Sequence, residues 1–339
     1  MKVFLIGGTG LLGSATAEEL IKRGHEVNSI ALSPVPEGAA LPPQMGLEFK
    51  NYLALSDDEA RRHFDGCEGF VFAAGIDERL GGPSPIYDFF NKYNLIPLER
   101  LLRIAKECGV RRAVICGSYF SYFDKQWPHL ELSRWHPYIR SRVDQEKMAL
   151  SFADDDFSVA MMELPYIFGA QQGREPVWTI IVKALRGMKG VTMYSKGGTT
   201  MVTRRQVAQA MAGALERTKG GQCWPIGWYN MPWKEFLPIV HANMGFPGRK
   251  VITIPNWLLN LGIKSMEKKI RGGEESEGGL YLPKFADIQS SQTFIDKSLG
   301  CAPLGVEDDD IEAAIGESIR MAVGVLDGTI KNVIGMRGE

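Results

Sequence analysis

The sequence lacks the features that would indicate an oxidising compartment, a membrane segment or a nucleic-acid partner. Only five of its 339 residues are cysteine, and no CxxC pair occurs, which argues against a disulfide framework and a thiolate zinc site. No apolar run reaches about 18 residues, and no HExxH pair is present. Lys and Arg number 39 and Asp and Glu 40, so the formal net charge is −1. We therefore predict a cytoplasmic protein that binds neither nucleic acid, membrane nor metal.

Short apolar runs alternate with helical patterns through the first half of the chain. We predict strands at 3–6, 27–32, 47–53, 69–74, 113–116 and 157–163, with helices at 14–23, 57–64, 94–108 and 137–152. Strands that alternate with helices form parallel βαβ units, and nearly continuous apolar strands suit a sheet covered on both faces. The predicted fold class is therefore α/β, with a Rossmann-type doubly wound parallel sheet.

The second half is less regular and richer in Pro and Gly. Its helical patterns fall at 176–187, 205–217, 233–244, 257–270 and 308–325, and residues 272–279 read as a mobile loop. We predict a dinucleotide-binding domain at residues 1–165. Residues 166–339 would form a smaller, mostly helical substrate-binding lobe, from which strands could return to the sheet.

A glycine-rich turn follows the first predicted strand and opens the first helix. It reads Gly7-Gly8-Thr9-Gly10-Leu11-Leu12-Gly13. Gly7 would permit the tight turn, Gly10 would let the backbone approach a pyrophosphate, and Gly13 would let the helix pack near the sheet. Exposed N–H groups and the helix dipole would then stabilise the anion. This strand–turn–helix context predicts dinucleotide binding.

The end of the second strand normally distinguishes NAD from NADP. An acid there binds the ribose hydroxyl of NAD, whereas Arg favours NADP. Here the stretch Ser29-Ile30-Ala31-Leu32-Ser33 carries neither, and no Lys or Arg occurs between Arg23 and Lys50. The cofactor prediction is therefore NAD or NADP, with NAD slightly favoured.

Further motifs lie at intervals that resemble one known family. They are Ala73-Ala74-Gly75 after the fourth strand, Asn94, Cys116-Gly117-Ser118 after the fifth strand, Tyr138, and Pro165-Tyr166-Ile167-Phe168-Gly169 after the sixth. With the GxxGxxG spacing of residues 7–13, the chain resembles the extended short-chain dehydrogenase/reductase family, also called the NAD-dependent epimerase/dehydratase family. The resemblance covers nearly the whole chain and is densest from residue 1 to 170.

The resemblance implies specific roles for these residues. Ser118 would hold the substrate oxygen, Tyr138 would be the acid/base, and Arg142 would be the cation beside it. The implied cofactor contacts come from Gly7, Thr9, Gly10, Leu11, Leu12, Gly13, Leu53, Ala73, Ala74, Gly75, Asn94, Cys116, Tyr138, Arg142, Pro165 and Ile167. Family members often form homodimers through the helices that hold Asn94 and Tyr138, so a homodimer is an implied assembly.

Arg142 departs from the family, which has Lys at this position. Tyr138 and Arg142 are one helical turn apart and share a face. A unit charge about 4 Å away at an effective dielectric of about 20 could lower the Tyr138 pKa by up to roughly three units. We therefore expect a Tyr138 pKa shifted toward neutrality. Arg keeps the charge but does not shed protons, and Lys147 lies about 180° around the helix, so neither can act as a proton relay.

These observations predict an NAD(P)-dependent oxidoreductase or epimerase that acts on a small carbonyl compound or secondary alcohol. A nucleotide-sugar epimerase or dehydratase is an alternative, weakened because Glu163 and Tyr166 stand where such members carry Arg and Asn. A second alternative, motivated by Arg142, is a regulatory protein that binds a dinucleotide without catalysis. The aromatic segment from Tyr119 to Trp135 could line the substrate pocket or pack within the second lobe.

Overall fold

The computed structural model describes residues 1–259 and 276–335. Its strands are β1 Lys2–Ile6, β2 Glu26–Ala31, β3 Gly46–Phe49, β4 Gly69–Phe72, β5 Gly81–Pro83, β6 Arg112–Cys116, β7 Ser158–Glu163, β8 Tyr166–Phe168, β9 Thr192–Ser195, β10 Gly198–Thr203, β11 Gly221–Pro225, β12 Tyr229–Pro232, β13 Val251–Ile254, β14 Ser276–Gly278 and β15 Gln292–Thr293. Seven of them form one sheet in the order β11-β7-β6-β4-β1-β2-β3. Every pairing in this sheet is parallel.

Helices cover both faces of the sheet and build the second lobe. They are α1 Leu11–Lys22, α2 Asp57–Phe64, α3 Ile86–Phe90, α4 Ile96–Glu107, α5 Tyr119–Gln126, α6 Leu132–Trp135, α7 Pro137–Leu150, α8 Thr179–Gly187, α9 Arg204–Arg217, α10 Trp233–Asn243, α11 Leu282–Gln289 and α12 Ile311–Leu326. A π-helical segment, Asn91–Leu95, precedes α4. The predicted α/β class and doubly wound parallel sheet are confirmed.

The six strands expected in the first half are all present. The third is shorter than predicted, because the strand ends at Phe49. The backbone then forms a turn in which the N–H of Ala54 donates to the carbonyl of Asn51. The seventh strand, β11, comes from the second half and pairs with β7 at the edge of the sheet. The domain division between residues 165 and 166 stays a proposal. Although α9 and β11 follow residue 166 in the sequence, α9 packs on α1 and β11 pairs with β7 of the large sheet.

Alternating apolar side chains on β1 explain the two core layers. Val3 and Leu5 face one layer, where α1 and α9 pack against each other. Phe4 and Ile6 face the opposite layer, which is filled by α2 and α4. All four side chains are buried. A strand that is apolar on both faces is what a sheet covered on both sides requires.

Local sequence signals place several helix ends. Ser56 and Glu59 form a reciprocal capping box at the start of α2, and Thr203 and Gln206 form another at the start of α9. Each box satisfies N–H groups that the first helical turn leaves unpaired. Gly109 follows α4 with a φ of +82°, the left-handed conformation that favours glycine after a helix.

The second lobe has its own core beside the carboxyl edge of the sheet. β10 lies centrally there, paired with β8, β12 and β15. Helices α8, α10 and α12 pack around it through buried side chains that include Phe168, Trp233 and Phe236. The cleft between this lobe and the sheet edge holds the candidate site.

Two predictions fall partly outside the described ranges. Within the predicted helix 257–270, residues up to 259 are helical and 260–270 are not described. Within the predicted loop 272–279, residues 272–275 are not described, whereas β14 pairs antiparallel with β5. That part of the loop prediction was wrong, because the edge of β5 offers it backbone partners. In the described part of the chain, we find no helix with the length and apolar character needed to cross a bilayer.

Candidate active site

The glycine turn adopts the compact form that its sequence predicts. Gly7 has a φ of +98°, and a Cβ there would lie 2.6 Å from the carbonyl oxygen of Ala73. A Cβ on Gly13 would lie 2.1 Å from the carbonyl oxygen of Gly7, so α1 approaches the strand end closely only because this residue is glycine. Gly10 caps α1 and has open space around it, with one backbone atom 3.2 Å from a hypothetical Cβ.

The start of α1 suits an anionic ligand. No side chain caps this helix end, and its first turn carries no acidic residue. The N–H groups of the first turn and the positive end of the helix dipole are therefore available to phosphate oxygens. Leu11 and Leu12, which begin the helix, line the cleft.

Arg174 adds a cation at this end of the cleft, which the sequence reasoning missed. Its Nη2 donates to the carbonyl oxygen of Thr9 at 3.3 Å, and its Nε donates to Oε1 of Gln171 at 3.2 Å. Within residues 1–259 and 276–335 we find no carboxylate paired with it, and burial lowers its pKa. A partly buried guanidinium beside the glycine turn suits a phosphate oxygen. Its loop carries no local motif that would have revealed it.

We expect Gly13→Ala to weaken dinucleotide binding about ten- to a hundredfold. The new Cβ would overlap the Gly7 carbonyl and force the turn to move, and overpacking of this kind costs about 1–3 kcal/mol. Calorimetric titration with the preferred dinucleotide measures the change. Gly187→Ala is the matched control, because a Cβ there meets no atom within 4 Å. Wild-type affinity in Gly13→Ala would contradict the phosphate-binding role of the turn.

Ser118, Tyr138 and Arg142 all line the same cleft as Leu11 and Leu12. Ser118 caps α5, where its Oγ accepts a long hydrogen bond of 3.4 Å from the N–H of Phe120. Tyr138 and Arg142 lie on one face of α7 and are both buried. The guanidinium carbon of Arg142 is 5.1 Å from the centre of the Tyr138 ring. The start of α5 and the helix α7 thus bring together the three residues for which the resemblance implies catalytic roles, and α1 adds Leu11 and Leu12 to the same cleft.

A hydrogen-bonded network fixes Arg142. Its Nη1 donates to Oε1 of Gln145 at 2.8 Å, and its Nη2 donates to the carbonyl oxygen of Ile76 at 2.9 Å. Asn94 accepts from the N–H of Ile76 through Oδ1 and donates to its carbonyl through Nδ2. Nε of Arg142 is buried and has no partner among the described residues, so it has a hydrogen bond to give to a bound ligand.

The expected lowering of the Tyr138 pKa was wrong. Burial raises the pKa of this phenol to about 12, and the nearby Arg142 only partly offsets that effect. The phenolate would lose its hydration in a site packed by the rings of Phe90 and Phe120. The charge of Glu78 raises the Tyr138 pKa further. The neighbouring cation alone was therefore a poor guide to the protonation of this residue.

The remaining predicted cofactor residues divide into two groups. The cleft is lined by Ala73, Ala74, Gly75, Cys116, Pro165 and Ile167. The described lining of the cleft does not include Gly7, Thr9, Gly10, Gly13, Leu53 or Asn94. Asn94 instead holds the backbone of Ile76 from behind. Leu53 lies in a turn, where its own backbone N–H donates to Oδ1 of Asn51.

The substrate side of the cleft is largely apolar and aromatic. The cleft has a volume of about 1050 Å³ and runs from the sheet edge into the second lobe. The aromatic segment splits between the two roles considered for it. Tyr119 and Phe120 line the cleft, whereas the ring of Phe123 packs against Trp127 with centroids 4.4 Å apart. On the opposite wall, α8 and the loop before it contribute Val177, Trp178, Ile181 and Leu185.

A second charged cluster joins α5, α7 and β7. Nζ of Lys125 lies 2.7 Å from a carboxylate oxygen of Glu146 and 2.8 Å from one of Glu163. The carboxyls of Glu146 and Glu163 and the thiol of Cys223 come within 4.8 Å of one another, close enough for metal ligands. Lys125 already supplies positive charge to both carboxyls, so we assign no metal here. Burial raises the pKa of Glu163 to about 7.

The parallel sheet and the glycine turn after β1 define a dinucleotide-binding α/β protein of the Rossmann type. The chain belongs to the NAD dependent epimerase/dehydratase family, whose sequence profile matches residues 3–227. Its cofactor is a nicotinamide dinucleotide, with the choice between NAD and NADP open. The open space beside Gly10, the cation of Arg174, and Nε of Arg142, which has no partner among the described residues, fit such a group.

Similar proteins include both ketoreductases and nucleotide-sugar enzymes. A 4-hydroxy-2-methyl-3-oxo-4-farnesyl-3,4-dihydroquinoline-1-oxide ketoreductase of Stigmatella aurantiaca is 21% identical over 235 residues, which are 66% of this chain and 67% of that protein. The crystal structure of Gox2253 has a TM-score of 0.72 at 21% identity and covers 97% of this chain and 99% of its own. The UDP-glucose 4-epimerase from Bifidobacterium longum, in complex with NAD+ and UDP, has a TM-score of 0.66 at 14% identity and covers 98% of this chain and 100% of its own. At these identities the structural matches show a shared fold.

Proposed function

We propose that this protein interconverts a small carbonyl compound and its secondary alcohol with a nicotinamide dinucleotide. The observation that carries the proposal is the position of Ser118, Tyr138 and Arg142 in one cleft that begins at the glycine turn. When bound, the cofactor supplies or accepts the hydride. The protein must then orient the substrate oxygen and exchange one proton with it.

Each of the three residues has a distinct role in this proposal. Ser118 donates a hydrogen bond to the substrate oxygen and polarises the carbonyl. Tyr138 starts carbonyl reduction as the neutral phenol, which its raised pKa ensures at neutral pH, and donates its proton to that oxygen. The charge of Arg142 stabilises the phenolate left on Tyr138. The guanidinium keeps its own protons throughout.

The lining of the cleft supports a substrate with an apolar body. The wall formed by Val177, Trp178 and Ile181 offers contact area and no charge. The ketoreductase among the relatives is named for a farnesylated ring ketone, which has the same character. A nucleotide-sugar epimerase or dehydratase remains the second candidate, because structurally similar proteins bind UDP or UDP-sugars.

A cofactor titration followed by a substrate assay tests the proposal. Calorimetric titration with NAD+, NADH, NADP+ and NADPH identifies the cofactor. The enzyme with that cofactor is then assayed with 1-phenylethanol, cyclohexanol and 2-decanol, and with the corresponding ketones. UDP-glucose and dTDP-glucose are tested in parallel. Turnover of an apolar alcohol or ketone supports the proposal. Turnover of a sugar nucleotide alone would favour the epimerase, and dinucleotide binding without any turnover would favour a regulatory protein.

A further inference from the structure

One carboxyl in the cleft has no role in the proposed mechanism. Glu78 lies in the loop after β4 and lines the cleft together with Tyr138. In the part of the chain that the structure describes, we find no hydrogen bond or ion pair between its carboxyl and another side chain. The other carboxyls of the lining are held by partners: Asp77 by Arg79, Glu175 by Thr179 and Glu277 by the backbone N–H of Ile86. Glu78 is thus the cleft carboxyl that is left to exchange a proton.

Backbone contacts join the segment of Glu78 to that of Tyr138. The N–H of Tyr138 donates to the carbonyl oxygen of Gly279 at 2.9 Å. A Cβ on Gly279 would lie 2.8 Å from the carbonyl oxygen of Glu78 and 3.0 Å from its Cα. Gly279 therefore lies directly between the two backbones. Arg142 reaches the same loop through the carbonyl of Ile76, which fixes the loop from the other side.

The surroundings of Glu78 disfavour its ionised form. Burial raises its pKa, the charge of Asp77 adds to that effect, and Arg79 and Arg142 oppose it. The titratable and charged groups that interact with Glu78 are Asp77 and Arg79 on its own loop, Tyr138 and Arg142 on α7, Tyr119 on α5 and Tyr166 on β8. The phenols of Tyr119 and Tyr166 have raised pKa values and stay protonated. Burial and the charge of Asp77 therefore favour the protonated carboxyl of Glu78 and hold its pKa above the ordinary value of a Glu carboxyl.

The site needs such a group because its other members cannot release a proton. A phenol with a pKa of about 12 does not ionise by itself at neutral pH, and Arg142 does not deprotonate. We propose that Glu78 is the positioning residue that exchanges the catalytic proton with Tyr138 through a bridging water and connects it to solvent. This inference rests on the proposed oxidoreductase function.

The proton path balances in both directions. In alcohol oxidation, the carboxylate of Glu78 accepts the Tyr138 proton as the phenolate takes the proton of the substrate O–H group. The alcohol carbon loses its hydrogen with both electrons to the oxidised dinucleotide, the C=O bond forms, and the Glu78 carboxyl returns its proton to solvent. In carbonyl reduction, the carbonyl carbon receives the hydride of the reduced dinucleotide and Tyr138 donates its proton to the substrate oxygen. The Glu78 carboxyl then reprotonates the Tyr138 phenolate, and the resulting Glu78 carboxylate takes a proton from solvent.

The pH dependence of alcohol oxidation tests the proposal with the best alcohol of the panel. For wild-type protein we expect kcat/KM to rise with pH and level off at an inflection above the ordinary Glu value of about 4.3 and well below the Tyr138 value of about 12. Glu78→Gln should remove that inflection and lower kcat about a hundredfold at neutral pH. Its activity should then rise with hydroxide concentration. Glu78→Ala should regain activity when formate is added, because formate restores a carboxylate to the vacated space.

The controls separate this proposal from the proposed function itself. Glu99→Gln changes an exposed carboxyl on α4, outside the described lining of the cleft, and should keep the wild-type profile. Reduced turnover in Glu78→Gln with an unchanged inflection would show a structural role only and overturn the proton path. Wild-type turnover in Glu78→Gln would overturn it as well. If wild-type protein binds a dinucleotide but converts no member of the panel, the proposed function fails first and the proton path falls with it.

Discussion

Tyr138→Phe is expected to reduce turnover of the best alcohol or ketone about 10²- to 10⁴-fold, the usual contribution of a general acid or base. The substitution removes one oxygen and leaves the ring contacts with Phe90 and Phe120 in place. The phenol is buried and stays protonated to high pH, which fits the proposed role of Tyr138 as proton donor in carbonyl reduction. Steady-state rates measured with saturating cofactor report the loss.

The expected signature is a fall in kcat with little change in dinucleotide affinity. Calorimetry on the variant checks the second part, because the substitution leaves the glycine turn and Arg174 unchanged. Tyr122→Phe is the matched control: it lies on α5, packs against Phe123 and is not part of the described cleft lining. Retention of full turnover by Tyr138→Phe would disprove the proposed role.

Lys125→Met is expected to lower the free energy of unfolding by about 2–4 kcal/mol. Removing one partner of a fully buried ion pair costs about 3–5 kcal/mol, and Lys125 is 44% exposed, which reduces the effect. The carboxyl of Glu163 is 2% exposed and would lose its cation without gaining water. Urea unfolding of both proteins gives the difference.

The loss of unfolding free energy in Lys125→Met should be larger at pH 8 than at pH 5. The folded-state pKa of Glu163 is already raised to about 7, so native protein holds a proton that the unfolded chain has released between about pH 4.5 and 7. Stability therefore falls as the pH rises through this window. Removing Lys125 raises that folded-state pKa further and extends the fall to higher pH.

Two further variants identify the cause. Lys147→Met removes an exposed lysine from α7 and should leave the unfolding free energy within about 0.5 kcal/mol. The double variant Lys125→Met/Glu163→Gln should recover part of the loss, because it no longer buries a second ionisable carboxyl. Equal losses for the single and double variants would show that Lys125 acts through packing rather than charge.

The sequence predicted the parts of the site that depend on short stretches of chain. The close approach at Gly7 and Gly13 follows from residues within a single turn, and the alternation of β1 follows from five consecutive residues. Tyr138 and Arg142 share a face because they are four positions apart on one helix. In each case the nearest neighbours in sequence determine the geometry.

The features that the sequence did not predict depend on contacts between distant segments. The raised Tyr138 pKa comes from rings on α3 and α5 that bury it. Arg174 reaches the glycine turn across 165 positions. Glu78 stands in the charged run Asp77-Glu78-Arg79, which begins three residues after the predicted fourth strand, and that position was an available signal. Its lack of a partner became visible only once the other carboxyls had been placed.

The packing of α9 on α1 and the pairing of β11 with β7 also determine when the chain can fold during its synthesis. Thr16 and Met211 are in contact at 3.3 Å, although they lie 195 positions apart. A ribosome that adds about 5–20 residues per second needs roughly 10–40 s to cover that distance. Throughout that time the apolar side of α1 lacks the helix that covers it, and the edge of β7, once made, stays open until β11 follows. The nascent protein therefore passes through a period in which chaperones can bind it, and its seven-stranded sheet is completed only once β11 has been made.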